Sequence, residues 1–73
     1  MLLNQAKTGQ CLKILKLPSE LKAKLIRIGI CEGDQVCCAS KIPAGPVVLL
    51  KDLQEIAIGD KQAAQIKVEI CQS

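Results

Sequence analysis

The chain must build its hydrophobic core without a single aromatic ring, since none of its 73 residues is Phe, Tyr or Trp. Its interior has to be filled by Leu, Ile, Val, Ala and Cys, which together with one Met make up 49% of the sequence. Aliphatic side chains remove enough apolar area from water to support a fold. A chain this short, however, buries only about 60% of the surface its unfolded form exposes. It has material for one core, so residues 1–73 are expected to form a single domain.

The hydrophobic pattern changes period along the chain. Between Gly9 and Leu17 apolar and polar residues nearly alternate, which predicts a strand with Cys11, Lys13, Leu15 and Leu17 on one side and Leu12, Ile14 and Lys16 on the other. After Pro18 and Ser19, a short helix is expected from Glu20, with Leu21, Leu25 and Ile28 on one inward stripe. Gly29 stands where a left-handed residue would end that helix, and Glu32, Gly33 and Asp34 mark a second turn. Val36 to Ile42 and Val47 to Lys51 read as a hairpin around Pro43, Ala44, Gly45 and Pro46. A further strand covers Glu55 to Ile58, and Gly59 and Asp60 then open one helical turn through Gln62, Ala63 and Ala64. In the last strand Ile66, Val68 and Ile70 are expected inside, with Lys67 and Glu69 in solvent. The N-terminal tip alone reads as linker.

About five short strands with one short helix inserted after the first predict a mainly β domain, a small, partly open barrel of the SH3-like kind, with the OB-fold as its nearest competitor. The longest uncharged stretch, Ile42 to Leu50, has nine residues, against the ~20 of a membrane-spanning helix. No secretory signal is visible between Met1 and Lys7, so a cytoplasmic location and no direct membrane insertion are expected.

Chemistry is sparsely provided. The sequence contains no His, the side chain best placed to move protons near neutrality, and no Walker-type phosphate loop, so an enzyme is not expected and no cofactor is assigned. The excess of 10 Lys and Arg over 7 Asp and Glu is modest and scattered. Without aromatic rings for base stacking, nucleic acid is not expected as a partner. Five cysteines, an odd number without regular spacing, make a poor disulfide framework and are expected to stay reduced. Cys37 and Cys38 are neighbours in a strand and so point to opposite faces. Cys11, Cys31 and one of that pair are expected as small buried apolar side chains. No metal site is assigned, the alternative being one assembled from Cys31, Cys71 and one of the pair.

The series of landmarks along nearly the whole chain resembles the FeoA family. It comprises Leu3, Ala6, Gly9 and Ile14; the run Lys24, Leu25, Ile26, Arg27, Ile28, Gly29 and Ile30; Gly33 and Val36; Pro43, Gly45, Pro46 and Val47; and Ile56, Ala57, Ala64, Ile66 and Val68. The cysteines, and Ile28 where the family more often has Leu, depart from the usual pattern. The resemblance implies an SH3-like fold, a cytoplasmic location and work beside the ferrous iron permease and its G domain in bacterial iron uptake. Similar domains end iron-dependent repressors, so one alternative is a stand-alone regulatory domain; another, resting on the cysteines, is a metal-binding carrier. Two surfaces stand out for partner contact. One is the outer helix face with Lys22, Ile26 and Arg27, where Ile26 is an apolar residue among charges. The other is the stiff turn at Pro43, Gly45 and Pro46.

Overall fold

In the computed structural model, which describes residues 1–71, a short 3-10 turn at Leu3–Gln5 leads into β1 (Cys11–Lys16) and the helix α1 (Ser19–Arg27). Then come β2 (Gln35–Lys41), β3 (Val47–Lys51), β4 (Gln54–Ile58), the single-turn helix α2 (Asp60–Ala63) and β5 (Lys67–Ile70). The strands form one five-stranded sheet in the order β4-β3-β2-β1-β5, with every neighbouring pair antiparallel. Among the described residues β4 and β5 remain its two edges, so the SH3-like sheet is open rather than closed.

Each strand region sends two residues at period two into the core: Leu12 and Ile14, Val36 and Cys38, Val47 and Leu49, Ile56 and Ile58, Ile66 and Val68. Lys67 and Glu69 are exposed as the alternation requires. Leu25, Ile30, Leu3, Ala6, Leu17 and Ala63 complete the cluster.

Several expectations are corrected. Leu17 is buried with Leu12 and Ile14 rather than opposite them, because the β1–β5 register slips between Ile14 and Lys16. The extra residue, Leu15, turns to solvent, as a β-bulge dictates. The N-terminal tip is no linker: Leu3 is fully buried, and the Leu3 N–H donates to the Ile66 carbonyl (2.9 Å) while the Val68 N–H donates to the Met1 carbonyl (2.8 Å). Residues 1–3 thereby cover part of the β5 edge, which would otherwise offer unpaired backbone groups. Ile70 shares a register position with Leu12 but is 48% exposed: it is the last residue of an edge strand, and among the described residues Met1 to Leu3 cover that edge further back, at Ile66 to Val68.

The helix ends differently from the expected stripe. Gly29 adopts φ +94°, its N–H donates to the Ile26 carbonyl (3.0 Å), and the Ile30 N–H donates to the Leu25 carbonyl (2.9 Å). This bond pair is a Schellman motif, in which the residue after the left-handed glycine packs back on the helix. Ile28 therefore sits outside the last helical turn and is 43% exposed, while Ile30 takes the buried place beside Leu25. A Cβ at Gly29 would meet only the Gln54 side chain, at 4.0 Å, so the cost of adding one lies in the backbone. Gly29→Ala is expected to destabilise the protein by about 1 to 2 kcal/mol, the strain of an L-residue in a left-handed conformation, measurable by urea denaturation with an unchanged m-value.

Candidate functional site

Helix α1 presents the first candidate surface. Leu21 and Leu25 pack inward, and Lys22, Ala23, Lys24, Ile26 and Arg27 are exposed. Glu20 lies in the first turn, with Lys24 and Arg27 in the last, matching the helix dipole at both ends. Ile26 is 48% exposed, as the helical projection predicts. Lys22 and Ile26 are four residues apart and share a face. Lys22 is partly engaged, its ammonium lying 3.3 Å from Glu32 in an exposed pair of small energetic weight.

Beside this face, a cleft of about 770 Å³ runs between the end of α1 and the edge strand β4, lined by Arg27, Ile28, Gly29, Gln54, Glu55, Ile56 and Ala57. A smaller one of about 160 Å³ lies between α1, the end of β4 and α2, and Ile28 borders both. Ile28 thus stands beside Arg27, one of the three residues expected to form a contact surface, while Lys22 and Ile26 line neither cleft. The signal for Ile28 was present in the sequence: a residue directly before a helix-ending glycine is already off the helical projection. Leu53, fully exposed in the tight turn between β3 and β4, was also missed.

The second candidate surface is the β2–β3 hairpin tip, where Pro43 and Pro46 are exposed. The Gly45 N–H donates to the Ile42 carbonyl (2.8 Å), and it is Ala44, at φ +57°, that takes the left-handed position. Gly45 serves close packing instead, since a Cβ there would stand 3.1 Å from that of Ile42. Neither cleft beside α1 includes a tip residue, so the two candidate surfaces belong to separate elements.

The loop that aims the end of α1 is held by two carboxylates. Asp34 accepts from the Lys51 ammonium (2.7 Å) and from the Cys31 N–H (2.8 Å), and Lys51 also donates to the Gly29 carbonyl. The hydrogen bond from Lys51, then that from Cys31, hold the Asp34 carboxyl below its ordinary 3.8. The Asp34 bond in turn holds the Lys51 ammonium above its ordinary 10.5. Glu32 accepts from the Leu17 N–H (3.0 Å) and from Lys22 (3.3 Å), which lower it in that order.

The cysteines divide by face. Cys38 is buried, and its burial pushes the thiol up, while its neighbour Cys37 faces outward and is half-buried, as alternation requires. Cys31, expected inside, is exposed because it follows the buried Ile30 into the loop. Cys11 is half-buried, and its sulfur lies 3.2 Å from that of Cys37. Among the described residues no three Cys, Asp or Glu side chains are grouped so as to hold a metal ion. No helix there is long and apolar enough to cross a membrane.

The FeoA domain model matches residues 1–70. The chain belongs to the FeoA domain family. Two solved structures share the FeoA fold with it. The NMR structure of a FeoA-like protein from Clostridium acetobutylicum has a TM-score of 0.82 and 21% identity, over 100% of this chain and 88% of that one. The crystal structure of an iron uptake regulatory protein (FeoA) has a TM-score of 0.86 and 19% identity, over 97% of each chain. A search of curated proteins gave no match.

The ion pair gives this FeoA domain a defined pH dependence. A carboxyl lowered in the folded state contributes stability in full above its unfolded value and loses it as pH falls through the folded one. The Asp34 contribution is therefore complete at neutral pH and disappears below 3.8. The raised Lys51 contributes in full below 10.5 and fades as pH rises beyond it. Asp34→Asn is expected to lower Tm at pH 7, and the gap between variant and wild type should close as the melts are taken down through the acid range.

Proposed function

We propose that this chain is a non-catalytic binding module of bacterial ferrous iron uptake, docking on the cytoplasmic region of the ferrous iron permease beside its G domain. Family membership supports the pathway, as does the name of the similar iron uptake regulatory protein. On this reading the chain works in the cytoplasm. The complete absence of His from the sequence is consistent with binding rather than proton-transfer chemistry.

The observation that carries the reading is the presence of two half-exposed isoleucines, Ile26 and Ile28, and the cations Lys22, Lys24 and Arg27 on and just after α1, where Arg27 and Ile28 line a cleft bounded by β4 with Glu55. Isolated exposed aliphatics are ordinary surface features. Here Ile28 borders both clefts and Ile26 stands on the exposed face of α1, and with the cations of that helix they give the kind of apolar centre with a charged border that protein interfaces use. The borders of such surfaces govern encounter rate and salt dependence more than affinity. The complementary patch on the permease is therefore an aliphatic contact bordered by carboxylates. The Pro43 and Pro46 tip is the second contact, stiff enough to lose little entropy on docking.

The test is a pull-down with purified permease, with and without guanine nucleotide, run alongside thermal melts. Ile26→Glu and Ile28→Glu are each expected to weaken capture by about tenfold, the ~1.4 kcal/mol of a contributing interface residue. Their stability should stay within roughly 0.5 kcal/mol of wild type. Leu25→Ala, at a site only 6% exposed, is expected to cost about 2 to 5 kcal/mol, most of what so small a core supplies. Undiminished capture by both isoleucine variants, together with loss on altering Pro43 and Pro46, would move the contact to the hairpin tip. No capture of the wild-type chain in either nucleotide state would end the docking reading.

A further inference from the structure

Three cysteines line up across three neighbouring strand regions on the outer side of the sheet. Cys37 in β2 stands opposite Cys11 in β1. On the other side of β1 the register pairs Leu12 with Ile70, and one step further the Cys71 N–H donates to the Cys11 carbonyl (2.8 Å). All three thiols are half-buried.

The two flanks of Cys11 are not equivalent. Towards β2 the backbone bonds are made by its neighbours: the Cys38 N–H donates to the Gln10 carbonyl and the Ile14 N–H to the Asp34 carbonyl, each at 2.8 Å. Cys11 and Cys37 are therefore a non-hydrogen-bonded pair, the narrow kind with Cα atoms about 4.5 Å apart, whereas Cys11 and Cys71 sit in the wide, hydrogen-bonded kind at about 5.5 Å. Both spacings lie within the range a disulfide spans, and what singles out Cys11 and Cys37 is that their side chains already meet. The two sulfurs are already at 3.2 Å, and a cleft of about 250 Å³ lined by both cysteines, with Gln35, Leu50 and Asp52, opens beside them.

We propose that Cys11 and Cys37 form a thiol–disulfide exchange site that takes low-molecular-weight disulfides of the glutathione type. The thiolate of one of the pair, Cys11 for instance, attacks one sulfur of the incoming disulfide, forming a mixed disulfide and releasing the first small thiolate. Cys37 then loses its proton and attacks the Cys11 sulfur, closing the Cys11–Cys37 bond and releasing the second. Two protein thiols are oxidised, one small disulfide is reduced to two thiols, and the two protons pass to the two leaving thiolates. The chemistry is the same whichever of the two attacks first, since their sulfurs face each other at 3.2 Å. Excess reduced thiol reverses both steps. Cys71 in the wide pair, Cys38 on the inner face and Cys31 in the loop take no part.

The experiment equilibrates the reduced full chain with glutathione buffers of rising oxidised fraction. Acid quench, alkylation, intact mass and peptide mapping then locate every bond. The expected product carries two fewer alkyl groups and one Cys11–Cys37 bridge, returns to the fully alkylated form on adding dithiothreitol, and forms equally in Cys71→Ser. Cys37→Ser should lose the bridge and accumulate glutathione on Cys11. The wild-type map decides the question even if a variant folds poorly. Glutathione adducts without an internal bridge, a Cys11–Cys71 bridge, or five alkylatable thiols in every buffer would each overturn the proposal.

Discussion

The left-handed turn at Gly29 is the constraint on which the rest of the molecule is arranged. Only a residue that tolerates φ +94° lets α1 stop at Arg27 and fold its continuation back under itself. That reversal puts Ile30 into the core beside Leu25 and leaves Ile28 outside at the cleft. It also presents the Gly29 carbonyl to Lys51, so the end of the helix is tied to the end of β3, two elements on in the chain. One turn thus sets a core contact, a cleft wall and the seat of the ion pair.

Much of this was legible because strands announce themselves at period two. Val47 and Leu49, or Ile66 and Val68, alternate with residues that are less buried, and the observed β3 has the bounds the pattern predicts. Local alternation fails where a long-range partner changes the count. The bulge at Leu15 exists only relative to β5, so nothing in residues 9 to 17 reveals that Leu17 will turn inward. Ile70 has the right parity and the wrong burial, because parity tells which face a residue takes and not whether anything covers it. Leu3 and Ala6 are too few apolar residues to declare an element, and they become core only once the chain start lies along β5.

The candidate sites divide in the same way. Lys22, Ile26 and Arg27 could be placed on the exposed helix face because α1 is regular there, and Pro43 and Pro46 on an exposed tip because prolines punctuate the hairpin. The cleft beside Ile28 depends on how closely β4 approaches the helix end, and the meeting of Cys11 with Cys37 depends on a register between strands separated by α1. Sequence spacing carries neither quantity. Adjacent Cys37 and Cys38 could be assigned to opposite faces, but not their neighbours on each face.

Without aromatic rings, the core offers only aliphatic packing to fix α1 against the sheet, and of α1's own residues Leu25 is buried and Leu21 only partly so. Such contacts are non-directional and favour burial without selecting one angle of the helix. Direction comes from the polar ties on either side of Gly33. Glu32 reaches back to the Leu17 N–H and Lys22, around the start of α1, while Asp34 reaches forward to Lys51, which also holds the Gly29 carbonyl at its end. Both ends of the helix are therefore referred to one short loop, and that loop is joined to β1 by the Ile14 and Gly33 backbone bonds. The apolar core supplies the driving force and these ties supply the orientation. The exposed residues at the end of α1, Ile26 and Ile28 among them, are held in place before any partner arrives, and a preorganised surface loses less entropy on binding.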